Sequence, residues 1–316
     1  MSSGKSAFFQ KNEIFPFFAP EAMQTVLTIA GFDPSSGAGV TADLMVFAAH
    51  RLFGTACITG LTVQSTIGVR FVYPTAARIV KETLDCLHSD LPPMGVKIGM
   101  VSDATNINII CEYLVQLRQI HDGGGRVVVV FDPVLRSSSG RELIDPAGLA
   151  MLRGQLLPLV DWITPNVDEL AILSGRTVAQ REDLPHACRA LQNQISGRNK
   201  SIGIIATGGH INPPDDFLLT PEGDESWLAG ERVVTRSTHG TGCAFSSAFL
   251  SRLVLGDTPL QAGQAAKAYV AGALRTAVPL GAGNGPLNLL WPLSEAVKET
   301  QGVEKSQAAE SSIHSV

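Results

Sequence analysis

Residues 26–39 read Val26-Leu27-Thr28-Ile29-Ala30-Gly31-Phe32-Asp33-Pro34-Ser35-Ser36-Gly37-Ala38-Gly39, a short apolar run followed by a glycine-bearing loop. A helical pattern over about residues 39–52 comes next, and then a second apolar run at 56–63, so the unit is strand, helix, strand. Working outward, apolar runs recur at 96–100, 127–131, 162–164 and 202–206, with helical patterns at 105–119 and 184–194 between them. Runs that are apolar throughout belong to strands buried on both faces of a parallel sheet covered by helices. The predicted fold class is therefore α/β, a three-layer α/β/α sandwich with a mostly parallel central sheet. Residues 217–219 and 226–228, parted by the polar segment 220–225, predict a hairpin, and two long helices are predicted over 242–255 and 260–278.

The 316 residues contain 45% hydrophobic and 17% charged residues, enough to close a sizeable core and too apolar for a disordered chain. We read one domain over residues 24–295, an N-terminal extension over 1–23 with the aromatic pairs Phe8-Phe9 and Phe17-Phe18, and a polar tail over 296–316. A net charge of −5 supplies no general basic field, which argues against nucleic-acid or anionic-membrane partners. Five scattered cysteines without C-x-x-C spacing argue against a disulfide framework or a zinc knuckle. With no secretion signal read at the N-terminus and no apolar run near the roughly 20 residues of a membrane helix, a cytoplasmic location is expected.

Chemistry concentrates where glycines meet helix starts. Ser237-Thr238-His239-Gly240-Thr241-Gly242-Cys243 precedes an apolar helix, so the backbone N–H groups of Gly240, Thr241 and Gly242 are expected to form an anion site. A thiol at that position is expected to ionise easily, which makes Cys243 a candidate base. A small core cysteine, or a nucleophile paired with His239, are the other readings. Asp33 and Asp43, in and beyond the first loop, are candidate substrate contacts, because ligands in parallel sheets gather at the carboxyl ends of strands; a tight turn at Gly37-Ala38-Gly39 and an Asp serving the helix dipole are the other readings. Gln64 ends the second strand, where its amide is suited to a heteroaromatic edge. Asp132 and the segment from Asn166 to Glu169 also follow strands, so these carboxylates are candidates for magnesium, with Glu169 as a solvated helix residue the alternative.

These segments, with Val63-Gln64-Ser65-Thr66, Lys97-Ile98-Gly99-Met100, Asp132-Pro133-Val134, Thr164-Pro165-Asn166 and Gly208-Gly209-His210, resemble the ribokinase-like family. Within it they are most similar to the hydroxymethylpyrimidine and phosphomethylpyrimidine kinases of thiamine biosynthesis, over about residues 26–288. The resemblance implies transfer of the ATP γ-phosphoryl group to a hydroxymethyl, then a phosphomethyl, group on 4-amino-2-methylpyrimidine, with magnesium and a homodimeric assembly. It implies a substrate site of Gly31, Asp33, Asp43, Gln64 and Met100, with Asp43 near the reacting hydroxyl. It implies nucleotide contacts at Asn166, Thr207, Gly209, Gly240 and Gly242, metal contacts at Asp132 and Glu169, and catalysis by Cys243 with the 240–242 amides. Pyridoxal kinase is the neighbouring alternative. A cysteine hydrolase and a non-catalytic vitamin-binding protein are readings from other classes. Three positions depart from the pattern: Thr207 replaces a lysine expected near the ATP phosphates, Ser138 stands where Lys or Thr is usual with Arg136 as a substitute cation, and Ser36 replaces a glycine.

Overall fold

In the computed structural model, residues 23–120, 126–137, 140–195, 201–209 and 211–293 are described. Most of the extension, the 296–316 tail, the Gly123 to Gly125 loop, Ser138 and His210 lie outside them. One sheet of nine strands organises the chain: β1 (Thr25–Phe32), β2 (Phe53–Ser65), β3 (Gly68–Pro74), β4 (Gly95–Ile98), β5 (Val128–Phe131), β6 (Trp162–Ile163), β7 (Gly203–Ala206), β8 (Asp216–Leu219) and β9 (Glu225–Leu228). Their order is β3-β2-β1-β4-β5-β6-β7-β8-β9. The strands from β2 to β7 in that order run parallel, and antiparallel hairpins extend both ends.

The alternation of side chains along each strand divides the core into two layers. Leu27, Ile29, Val129, Phe131 and Ile204 face one set of helices, α2 (Ala77–Asp90), α3 (Ala104–Ile120), α4 (Pro146–Met151), α5 (Val167–Ser174) and α6 (Leu184–Ile195). Val26, Val130 and Ile205 face the other, α1 (Gly39–Ala49), α7 (Thr241–Val254) and α8 (Pro259–Arg275). This is why the strands read as unbroken apolar runs: each face buries every second residue. On the second face Phe249 packs edge-on against Trp162, ring centroids 5.2 Å apart.

The predicted hairpin at 217–219 and 226–228 is β8 and β9, one residue longer at each N-terminal end. Three of these elements were not anticipated, β3, α2 and α4, and α5 entered only through the alternative of Glu169 as a helix residue. No described helix is long and apolar enough to cross a membrane.

Candidate active site

The carboxyl ends of the parallel strands meet the starts of α1, α5 and α7, and a cavity of about 1110 Å³ opens there. It has room for a nucleotide beside a small aromatic ring. Every expected site residue lines it except Asp43.

Beside β1, Asp33 closes the first loop on itself. Its Oδ1 accepts from the Ser35 amide at 2.8 Å and hydroxyl at 2.7 Å, and its Oδ2 accepts from the Ala38 amide at 3.0 Å. Burial pushes its carboxyl up, but the bonds from His239 and Ser35 outweigh this and leave it below the usual range. Asp33 therefore holds the loop and His239, a role a substrate contact alone does not describe. Met100 lies over Gly31, where a Cβ would come within 2.3 Å of its Cε. Gln64 faces the cavity from the rim of β2.

The two glycine loops interlock. Gly240 has φ 84°, and a Cβ on it would sit 1.8 Å from the carbonyl oxygen of Gly37. Gly240 gives α7 no side-chain cap, so the first amides of α7 keep their hydrogen-bonding capacity toward the cavity. α5, by contrast, is closed by a capping box: the Glu169 amide donates to Asn166 Oδ1 at 3.0 Å and the Asn166 amide to Glu169 Oε2 at 2.9 Å. Glu169 is thus buried in the first turn of a helix, not solvated.

Asp43 differs from expectation. It lies beneath the cavity floor with no exposed surface, accepting from Lys97 Nζ at 3.0 and 2.9 Å, Thr28 Oγ1 at 2.6 Å and Ser247 Oγ at 2.8 Å. The helix turn that carries it faces the sheet, so its carboxylate meets a strand cation, not the reacting hydroxyl. Lys97 was the residue not given a site role: it borders the cavity from β4, and its signals in the sequence are a charge inside an apolar run and its place in the Lys97-Ile98-Gly99-Met100 segment of the resemblance.

The thiol of Cys243 borders the cavity, but its chemistry departs from the helix-start expectation. Burial pushes it up to about 12, helped by Asp132 and Asp43, against the downward pull of Lys97 and the Gly39 amide. The thiol is therefore protonated in the isolated protein, because burial, with two carboxylates distant in sequence, outweighs the pull of Lys97 and the Gly39 amide. Burial and then Asp132 push Glu169 up to about 8, and burial first pushes Asp132 up, with Lys97 opposing and Asp43 adding to the rise. Close by, Thr164 Oγ1 is buried without a hydrogen-bond partner. Two mutually repelling carboxylates and an orphaned hydroxyl fit a cation that keeps several waters. Among the described residues no group of three or more ligating side chains forms, so a cation here draws the rest of its shell from water or phosphate.

Toward the far end lie Thr207, whose amide donates to the Pro165 carbonyl at 2.9 Å, and Gly209. Lys267 also borders the cavity, paired with Asp216 at 2.7 Å. Arg136 borders the cavity but is paired with exposed Glu142 at 3.3 Å.

The family model of phosphomethylpyrimidine kinase matches residues 33–288. This chain belongs to the phosphomethylpyrimidine kinase family. The hydroxymethylpyrimidine/phosphomethylpyrimidine kinase of Staphylococcus aureus is 36% identical over 265 residues, 83% of this chain and 92% of that protein. Phosphomethylpyrimidine kinase from Clostridium difficile, a crystal structure, matches with a TM-score of 0.67 and 31% identity over 79% of this chain and 99% of its own. The pyridoxal kinase of Staphylococcus aureus in complex with ADP matches with a TM-score of 0.74 and 25% identity, covering 85% and 94%. As a phosphomethylpyrimidine kinase family member the chain is a phosphotransferase with a ribokinase-like sheet, and the matched span contains every site residue above except Gly31.

Proposed function

We propose that this chain transfers the γ-phosphoryl group of ATP to 4-amino-5-hydroxymethyl-2-methylpyrimidine and then to its monophosphate. The observation that carries the reading is one cavity that joins the uncapped start of α7 and the Cys243 thiol to the Gln64 amide and the Met100 wall. The heteroaromatic ring lies between Met100 and Gln64, and ATP lies along the half lined by Asn166, Thr207 and Gly209. The Gly240, Thr241 and Gly242 amides hold the moving phosphoryl oxygens, because phosphoryl transfer needs positioning and neutralisation more than covalent participation. Lys97, held charged by Asp43, adds a fixed positive field beneath them. Magnesium, when bound through Asp132 and Glu169, neutralises phosphate charge.

Cys243 takes the proton of the acceptor hydroxyl late in transfer. Because the resting thiol is protonated, its own proton moves on to an oxygen of the transferred phosphoryl group held at the α7 amides, so the thiol ends as it began. A coupled ADP-release assay with the pyrimidine alcohol, its monophosphate and pyridoxal tests the reading. Turnover is expected with the two pyrimidines, and pyridoxal as the better acceptor would reverse the assignment. The likeness to a pyridoxal kinase is the reason for that arm.

The proposal includes a cytoplasmic homodimer without nucleic-acid or membrane partners. The exposed cross-strand pairs Leu61 with Tyr73 and Val63 with Phe71 supply an apolar face for a second copy, which sedimentation tests.

A further inference from the structure

Asp33, Gln64 and His239 come from three separate segments and meet at one atom. His239 Nε2 lies 2.7 Å from Asp33 Oδ2 and 2.9 Å from the Gln64 amide group. The approach is built in. Gly37 leaves room for the ring, since a Cβ there would come within 2.2 Å of His239 Cδ2. The β2–β3 register shifts between Val63 and Gln64, a bulge of the kind that re-aims a side chain. The His239 amide is clipped to the Gly285 carbonyl at 3.1 Å, and the residue is buried.

The three groups admit one pattern of donors. Asp33, held ionised by its partners, only accepts, so a 2.7 Å contact requires a proton on Nε2. A protonated ring nitrogen only donates. An amide NH₂ turned toward it would set two donors face to face, whereas a half-turn of the amide places the carbonyl oxygen there, sharing the single Nε2 proton with Asp33 in a three-centre bond. The NH₂ group of Gln64 is then directed to the cavity.

We infer that His239 is a positioning residue that fixes the Gln64 amide with its carbonyl on the imidazole and its NH₂ toward the acceptor, so that the site selects a heteroaromatic ring presenting a nitrogen lone pair at that edge. The acceptor's identity rests on the pyrimidine kinase reading; the orientation of the amide does not. A ring with CH at that position leaves a buried donor unpaired, which a site built for hydrogen bonding penalises strongly.

The orientation is read first by long-range ¹⁵N–¹H correlation of the full-length protein labelled at histidine. A protonated His239 Nε2 at pH 7.5 is expected, and a bare Nε2 with the proton on Nδ1 overturns the inference. Selection is read by titrating the protein with the pyrimidine alcohol and the two analogues in which one or the other ring nitrogen is CH. The native protein is expected to bind one analogue at least about ten-fold more weakly than the parent. His239→Leu is expected to reduce that discrimination to about three-fold or less and to raise the acceptor KM more than it lowers kcat. His239→Gln, which keeps an N–H donor, is expected to recover part of both, and it stands in if the leucine variant does not fold. Equal discrimination in native and variant proteins refutes the positioning role. Should none of the pyrimidines bind or turn over, the kinase reading fails, while the nitrogen spectra still decide the arrangement of imidazole and amide.

Discussion

Lys97 Nζ sits 2.9 and 3.0 Å from the two carboxylate oxygens of Asp43, and neither side chain has any exposed surface. Removing one partner leaves the other charge buried and alone, which costs about 3–5 kcal/mol, whereas removing both costs less than the sum. Asp43→Leu and Lys97→Met are each expected to lose that much in urea denaturation, and the double variant to recover a large part of it. Strict additivity would show that the two charges do not depend on each other. Turnover should stay low in the double variant, because the field beneath the phosphoryl site is gone.

The two proposed reactions differ in what they ask of Cys243. A hydroxymethyl group must lose a proton to become phosphorylated, whereas a phosphate acceptor already presents an anionic oxygen. Cys243→Ala is therefore expected to lower kcat with the alcohol by about 10²–10⁴-fold and with the monophosphate by far less. Equal losses on both acceptors would remove the base role and leave Cys243 as a packing residue.

The resting thiol also has a reactivity signature. With its thiol pushed up to about 12, Cys243 is neutral throughout the physiological range, whereas Cys86 is exposed. Iodoacetamide at pH 7.5 is expected to label Cys86 first, with Cys243 labelling accelerating only as the pH rises, since the thiolate is the nucleophile. Peptide mapping of the labelled protein checks the order. Fast labelling of Cys243 at neutral pH would restore the easily ionised thiol read from the helix start.

Glu169 stands at about 8 in the folded chain against an ordinary value of 4.5, so folding favours its protonated form. Its contribution to stability is complete below pH 4.5 and is lost as the pH rises toward 8. Glu169→Gln keeps an acceptor for the Asn166 amide but carries no charge. Without magnesium, the variant is expected to exceed the native protein in stability at pH 9 by about 1–3 kcal/mol and to converge on it near pH 5. In assays it is expected to need more magnesium. A stability difference independent of pH would place the strain elsewhere.

Ser36 and Gly240 both have left-handed backbone, φ 60° and 84°, but only one of them is a glycine. Ser36 is exposed, so Ser36→Gly is expected to stabilise by about 0.5–1 kcal/mol with turnover unchanged. Gly240→Ala must push its Cβ into the Gly37 carbonyl, and is expected to cost about 2–4 kcal/mol and at least about 10² in kcat. Thermal denaturation and initial rates separate the two cases. A harmless alanine at 240 would mean that the two loops part readily.

The parallel strands are legible in the sequence because burial on both faces leaves unbroken apolar runs. β3 is not, since Thr66-Ile67 lacks the glycine or asparagine of a tight hairpin and the strand buries neither face fully. α2 escapes because only Val80 and Leu84 are buried along it and Ala76 supplies no capping side chain. At the site, motifs local in sequence place Gly31, Gln64, Met100, Asn166 and Cys243 on one cavity. What they do not reveal depends on neighbours far along the chain: the Asp43 carboxylate turned to Lys97, and the field of Asp132 on a thiol 111 residues later, their positions being 132 and 243.

The contact of Gly37 with Gly240 has a practical outcome for anyone redesigning acceptor choice. The bend of the loop after β1 and the threshold of α7 are one solid joint, so reshaping either drags the other out of line. New specificity is better sought on the flanking wall at Met100, since Gln64 on the rim of β2 is tied through His239 and Asp33 to that same joint.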